Sequence, residues 1–409
     1  MSSAVERLLP PERENLRAYR DRGGYQTLAA IGDKQDALRE RIASVTLTGL
    51  GGAHFPFATK VSAVLKTPGP RYVVANGAED EPGSQKDKLL IERNPHVVIE
   101  GALLAAAAVD ADEVIFYIRE SLLEAMGSMA DALTEVAADG LAGDRVLRIH
   151  AAPITYVAGE ASAALCSLAG EDAKPNAQPP YPSESGYLGQ PTLVSNVETF
   201  ANLPRMLSDD ASSAASRSRL ATVTGDVVSP GVFEVDPLTT TLRDLIAMAG
   251  GVPGEATVKA VQPGGPSSAY VSATQLDTAL TNEAIRGIGS QPGCLAIRVV
   301  ADTRCMVEEV AAVAAFFARE QCGQCPGCRM KTTSYSTLLG KVVQGAANWE
   351  LLGQFATIDE FVADMPRKCA LIDMPTAPVM SAVEHFRSDF ADHIDNEKCS
   401  ARNDSQSEK

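Results

Sequence analysis

The chain has 409 residues, 36 of them Lys or Arg and 52 Asp or Glu, and a formal net charge of −16. That length is more than one core usually fills, so two or three domains are expected. The acidic excess argues against nucleic-acid binding, which needs a basic face, and the longest apolar run, Ala102–Val109, is far short of the roughly 20 residues of a membrane helix.

In chain order, residues 1–40 read as a polar, helix-prone arm with charges throughout and no secretory apolar run. A glycine cluster follows, Gly49-Leu-Gly-Gly-Ala-His-Phe-Pro56. Tyr72–Asn76, Val114–Ile118 and Val146–His150 read as strands, with helices over 95–109 and 120–138 between them. That alternation predicts an α/β layer structure. Lys174–Pro191, with five prolines, is expected to run extended over a surface. Ser208–Ser213 reads as a linker. Beyond it, short β segments at 220–225, 231–235 and 295–300 flank one helix, Leu242–Ala249, which suggests a small α+β domain. From Val307 the pattern turns helical, with amphipathic segments near 337–344 and 379–390.

The strongest chemical signal is Cys322-Gly-Gln-Cys325-Pro-Gly-Cys328. Three thiols at C-x2-C-x2-C spacing can face one small volume. Cubane [4Fe–4S] clusters use such a triplet with a distant fourth thiolate, for which Cys369 is the candidate. Tetrahedral zinc is the alternative, although zinc more often takes two separated C-x2-C pairs. Cys166, Cys294, Cys305 and Cys399 are assigned no ligand role, nor are the five scattered histidines. The single Trp349 reads as a packing residue.

Gly49, Gly51 and Gly52 would let backbone approach a flat or phosphorylated ligand, with Lys60 to answer a phosphate; without G-x-G-x-x-G this is no dinucleotide fingerprint. Asn76-Gly-Ala-Glu79-Asp-Glu81-Pro-Gly83 follows a strand end, where open α/β sheets bind ligands. A solvated acidic turn is the competing reading.

In their order along the chain, these motifs resemble the FMN- and NADH-binding subunit of respiratory complex I and its relatives in bidirectional hydrogenases and NAD-dependent formate dehydrogenases. The likeness also rests on Lys86-Asp87, Glu92-Arg-Asn-Pro-His96, Glu100-Gly101, Tyr156-Val-Ala-Gly159-Glu160, Gly170, Pro179-Pro-Tyr181-Pro, Val194-Ser-Asn-Val-Glu-Thr199, Pro263-Gly-Gly265, Cys305-Met-Val307 and His385-Phe-Arg-Ser-Asp-Phe390. It implies a Rossmann-like α/β flavin domain over 41–210, a ubiquitin-like β-grasp domain over 215–302, a helical [4Fe–4S] domain over 303–395 and a tail from 396. FMN is then expected among Gly49, Gly51, Gly52, Lys60, Asn76, Glu79, Tyr156, Gly159, Glu160, Asn196 and Thr199. Glu81 and Glu160 are the expected catalytic carboxylates, with Phe55, Glu81 and Tyr181 at the nucleotide. Cys322, Cys325, Cys328 and Cys369 would hold the cluster.

The implied function is acceptance of hydride from NAD(P)H at FMN and release of single electrons through the cluster. The implied partner is a ferredoxin-like or thioredoxin-like iron–sulfur protein or a larger oxidoreductase complex, in the cytoplasm. Arg329, Lys331, Arg367 and Lys368 are the expected docking charges. Departures from the family pattern fall mainly at the nucleotide: Ala78 and Asp80 replace Asp and Gly, Ala161 replaces Glu, and Asn176 and Gln178 replace basic residues. Two alternatives follow. One is an FMN/[4Fe–4S] protein that exchanges electrons with a ferredoxin without binding NADH; the other is a zinc-binding scaffold with an empty flavin pocket.

Overall fold

The computed structural model describes residues 8–32, 34–208, 218–396 and 399; most of the expected linker and of the tail lie outside them. The chain forms two compact units. The first comprises the stretches up to Asp80, Ser84–Ala221 and Val232–Pro237; the second comprises Glu81–Gly83, Thr222–Gly231 and the chain from Leu238.

In the first unit, β1 (Tyr72–Gly77), β2 (Glu113–Arg119), β3 (Val146–Ala152) and β4 (Thr192–Asn196) form a parallel sheet in the order β3-β2-β1-β4. Alternation along β1 and β2 sends Val73, Ala75, Val114, Phe116 and Ile118 to one core and Val74, Ile115 and Tyr117 to another, because both faces are covered. The helix Pro95–Val109 is buried along its whole length, capped by Asn94, whose Oδ1 accepts from Val97 N, with Pro95 in the first turn. Gly101 lets it approach the helix Val197–Met206, since a Cβ there would strike the Phe200 carbonyl. Glu100, its neighbour in the motif, accepts from Tyr19 Oη at 2.6 Å and Tyr25 N at 2.8 Å. Tyr19, Tyr25, Leu38 and Ile42 of the N-terminal helices thereby join the core of this unit.

A second, mixed sheet is built from β5 (Arg219–Gly225), β6 (Gly231–Val235), β7 (Val258–Gln262), β8 (Val271–Ser272) and β9 (Ala296–Ala301), ordered β6-β5-β9-β7-β8. The helix Leu242–Met248 carries a Thr241–Asp244 capping box. The helices Met306–Glu320, Pro326–Val343, Trp349–Val362, Thr376–His385 and Arg387–Ile394 follow in the second unit. Their core contains Val307, Val310, Tyr335, Phe355 and Phe390 and also takes in Ala260, Tyr270 and Val300 of the β region. Trp349 packs on this core, and Arg387 stacks over its ring at 4.0 Å.

Candidate functional site

The first site lies at the carboxyl ends of β1 and β4. Strand order reverses between them, which is the switch point where open α/β sheets form their binding crevice. Asn76 lies near the end of β1 and Asn196 ends β4. Asn76 Nδ2 donates to Gly159 O at 2.8 Å, while Asn196 Nδ2 donates to Asn76 O at 3.2 Å and to Asp87 Oδ2 at 2.7 Å. Asn196 also caps the helix Val197–Met206, its Oδ1 accepting from Glu198 N at 2.9 Å. The glycine loop folds back on itself through Gly49 N to Phe55 O at 2.9 Å, and Thr199 Oγ1 anchors it by accepting from Leu50 N at 2.9 Å. Gly51 lies close against Asn196, since a Cβ there would meet Asn196 Cβ at a tight 3.2 Å; Gly52 takes φ 119°, a region that favours glycine.

Beneath the crevice lies a buried ionic network. Lys86 Nζ is 2.7 Å from Asp87 Oδ1, 2.8 Å from Glu198 Oε2 and 3.3 Å from Asn196 Oδ1. Glu198 Oε1 accepts from Leu220 N at 2.8 Å. The Lys86-Asp87 and Asn196-Val-Glu-Thr motifs are therefore two halves of one cluster that fixes Asn196.

Glu79 and Glu160 are occupied by local structure. Glu79, at φ 46°, accepts from Asp87 N at 2.9 Å, Lys88 N at 2.6 Å and Ser84 Oγ at 2.7 Å, and so caps the helix Lys86–Arg93. Burial, then the charge of Asp87, pushes its pKa up to about 7 despite those donors. Glu160 caps the helix Ala161–Leu168, accepting from Ser162 N at 2.9 Å and Ala163 N at 3.0 Å, and also from the Ser162 hydroxyl. Lys60 donates to Val194 O at 3.0 Å, and burial lowers its pKa. Tyr156 and Gly159 bound a 3-10 turn, and Gly159 lies against Asp80, which pairs with Arg119 at 3.3 Å. Phe55 and Tyr181 are about half exposed. Asn176 turns its amide to Cys166 Sγ at 3.1 Å. Glu81 belongs to the second unit, where its carboxylate packs on Gly265.

The second site is the thiol set. Cys322 follows the helix Met306–Glu320, Cys325 is the N-cap of Pro326–Val343, and Cys328 sits in that helix's first turn. Gly323, at φ 80°, turns the chain between the first two cysteines. Cys369 precedes the turn Ala370–Ile372, and Lys368 Nζ bonds Gln324 Oε1 at 2.6 Å, tying the two loops together. Burial pushes the Cys328 thiol up to about 12, with further upward contributions from Cys369, Cys325 and Cys322, so the four sulfurs share one neighbourhood. Cys325 and Cys328 both sit at the N-terminus of this 18-residue helix. Lys331 corrects the expected docking set. It is buried and paired with Asp359 at 2.7 Å, whereas Arg329 and Arg367 are exposed.

Comparison with known proteins agrees with these features. The profile of the Nuo51 FMN-binding domain matches residues 42–205, that of the SLBB domain 220–269, and that of the NADH-ubiquinone oxidoreductase-F iron-sulfur binding region 308–393. The chain is 32% identical to an F subunit of NADH-quinone oxidoreductase from Rhizobium meliloti, over 95% of its own length and 96% of the relative's. It belongs to the family of NADH-quinone oxidoreductase F subunits. The Escherichia coli member is 31% identical over 92% of this chain and 88% of that protein. Among solved structures, the NAD+-reducing [NiFe]-hydrogenase in the H2-reduced state superposes with a TM-score of 0.78 at 31% identity, covering 88% of this chain; the chain spans 62% of the hydrogenase chain.

As a member of this family, the chain is an FMN and [4Fe–4S] protein. Its residues fit both groups. The glycine loop against Asn196 is a cradle that a Cβ at Gly51 would narrow, at the crevice where open sheets take ligands. Four thiols with no carboxylate or imidazole among them form a soft donor set suited to iron–sulfur. Among the described residues no helix is long and apolar enough to cross a membrane.

Proposed function

We propose that this chain oxidises NAD(P)H in the cytoplasm and passes the electrons singly to another subunit of an oxidoreductase complex. When bound, FMN supplies two-electron hydride acceptance and the cluster one-electron transfer. The chain's own residues do the rest. Gly49, Gly51 and Gly52 would admit the flavin to the crevice; Asn196, held by the Lys86 network, and Asn76, held by Gly159, would line it. Tyr156, Gly159, Lys60 and Thr199 complete the pocket. Glu79 and Glu160 act by fixing the helices on which the pocket stands rather than by exchanging protons. Phe55 and Tyr181 offer half-exposed aromatic faces to the nucleotide. Cys322, Cys325, Cys328 and Cys369 hold the cluster, and Arg329 and Arg367 face the partner. Asn76 and Asn196 meeting at the strand switch point carry this reading. It is supported by the likeness to chains named as NADH-quinone oxidoreductase subunits and an NAD+-reducing hydrogenase.

Anaerobic stopped-flow mixing with NADH tests the proposal. Bleaching of the flavin band is expected, and an unchanged flavin spectrum with both NADH and NADPH would remove the dehydrogenase half. Asn176 favours a second reading: its side chain is turned toward Cys166 at the position where the family carries a basic residue. In that case a reduced low-potential protein, but not NADH, would reduce the flavin.

A further inference from the structure

Outside both sites, three residues remote in sequence converge in the helical part of the second unit. Cys305 is the N-cap of the helix Met306–Glu320 and is buried. His393, also buried, lies in the last turn of Arg387–Ile394, and its Nε2 is 3.2 Å from Cys305 Sγ. Cys399, partly buried, completes the group, with all three ligand atoms within 4.8 Å of one another. None of the three belongs to the cluster's donor set, and nothing in the proposed electron-transfer function uses them.

We propose that Cys305 Sγ, His393 Nε2 and Cys399 Sγ form a binding site for one zinc-type divalent cation, with water as the fourth ligand. Binding replaces the two thiol protons, which leave to solvent, and involves no oxidation. Two thiolates and one imidazole are the donor set this class of cation prefers. The geometry needs little adjustment. Bonds of about 2.3 Å to sulfur and about 2.0 Å to nitrogen place tetrahedral ligand atoms roughly 3.5–3.8 Å apart. The 3.2 Å Cys305–His393 separation and the 4.8 Å bound on the rest bracket that range. The frame behind the ligands is rigid. Asp389, one turn before His393, accepts from Met306 N at 2.8 Å and from Lys259 Nζ at 2.6 Å, locking the two ligand-bearing helices together. The site therefore ties the last helix to the start of the helix that ends just before Cys322.

The test uses the full chain with flavin and cluster, purified anaerobically after growth with zinc, and measures zinc, iron and flavin per chain. About one zinc per chain is expected. His393→Gln and Cys399→Ser should each lower zinc by at least the roughly tenfold that loss of even an outer-shell partner costs, with iron and flavin unchanged. Cys369→Ser should leave zinc unchanged. No zinc in the parent, zinc that survives both substitutions, or a Cys305–Cys399 disulfide in peptide maps would each overturn the site. If a variant also loses iron through misfolding, alkylation of the parent decides. Cys399 protected from iodoacetamide until a zinc chelator is added supports the site, and equal labelling with and without chelator refutes it.

Discussion

Replacing Lys86 with Met keeps the side-chain length and removes the cation. Its ammonium lies within 3 Å of both Asp87 and Glu198, and all three side chains are buried. Two carboxylates would be left facing each other out of reach of water. Breaking a buried ion pair from one side costs about 3–5 kcal/mol, because the abandoned charge stays desolvated. For a unit of this size each kcal/mol moves the melting point by about 2–4 °C, so a loss of roughly 10 °C is expected. Flavin fluorescence released on heating is the assay, since Asn196 depends on the same network. The deficit should shrink as pH falls, because Asp87, its pKa raised by burial, takes up a proton and removes one of the abandoned charges. Lys86→Met with Glu198→Gln should recover part of the loss. If Lys86→Met melts within about 2 °C of the parent and keeps its flavin, the network does not hold the site.

Three further outcomes follow. Glu79→Gln should gain on the parent as pH rises from about 4.5 to 7 and show a constant difference outside that window. The raised pKa makes the neutral acid the stabilising form, and its contribution is lost as pH rises through 7; urea unfolding against pH measures this. Gly101→Ala should cost about 1–3 kcal/mol, because its methyl meets the Phe200 carbonyl and the two helices must part; chemical denaturation of the chain reads it. Asn176→Lys restores a basic residue beside the expected nucleotide path and should lower KM for NADH several-fold at low salt, with the gain shrinking at high salt.

Where packing is periodic, residues predict structure well. Val73 to Ala75 and Val114 to Ile118 show their strands because alternate side chains enter two different cores. The C-x2-C-x2-C triplet was equally legible, since its spacing is local. β4 was not, because Thr192–Asn196 is a short edge strand whose Thr, Ser and Asn mask the apolar pattern. The cap contacts that Glu79 and Glu160 make were also hidden. An acidic residue near a glycine loop looks like chemistry in a sequence, and only the positions of Asp87 N, Lys88 N and Ser162 N show helix caps. Lys331 looked like surface charge until Asp359, distant in sequence, supplied its partner. Cys305 and His393 are 88 residues apart and share no spacing signature.

The two loops that carry the four thiols have a mechanical consequence. Cys322 and Cys369 bracket the helices Pro326–Val343 and Trp349–Val362. A bridge between those cysteines closes a loop of nearly fifty residues, a crosslink that on chain-entropy grounds stabilises by about 4 kcal/mol. On the proposed ligand set, loss of the cluster's iron would therefore also release a restraint on those two helices. A chain that can no longer conduct would become a better substrate for proteolysis in this segment, so that electron-transfer competence and lifetime are linked through the same four sulfurs.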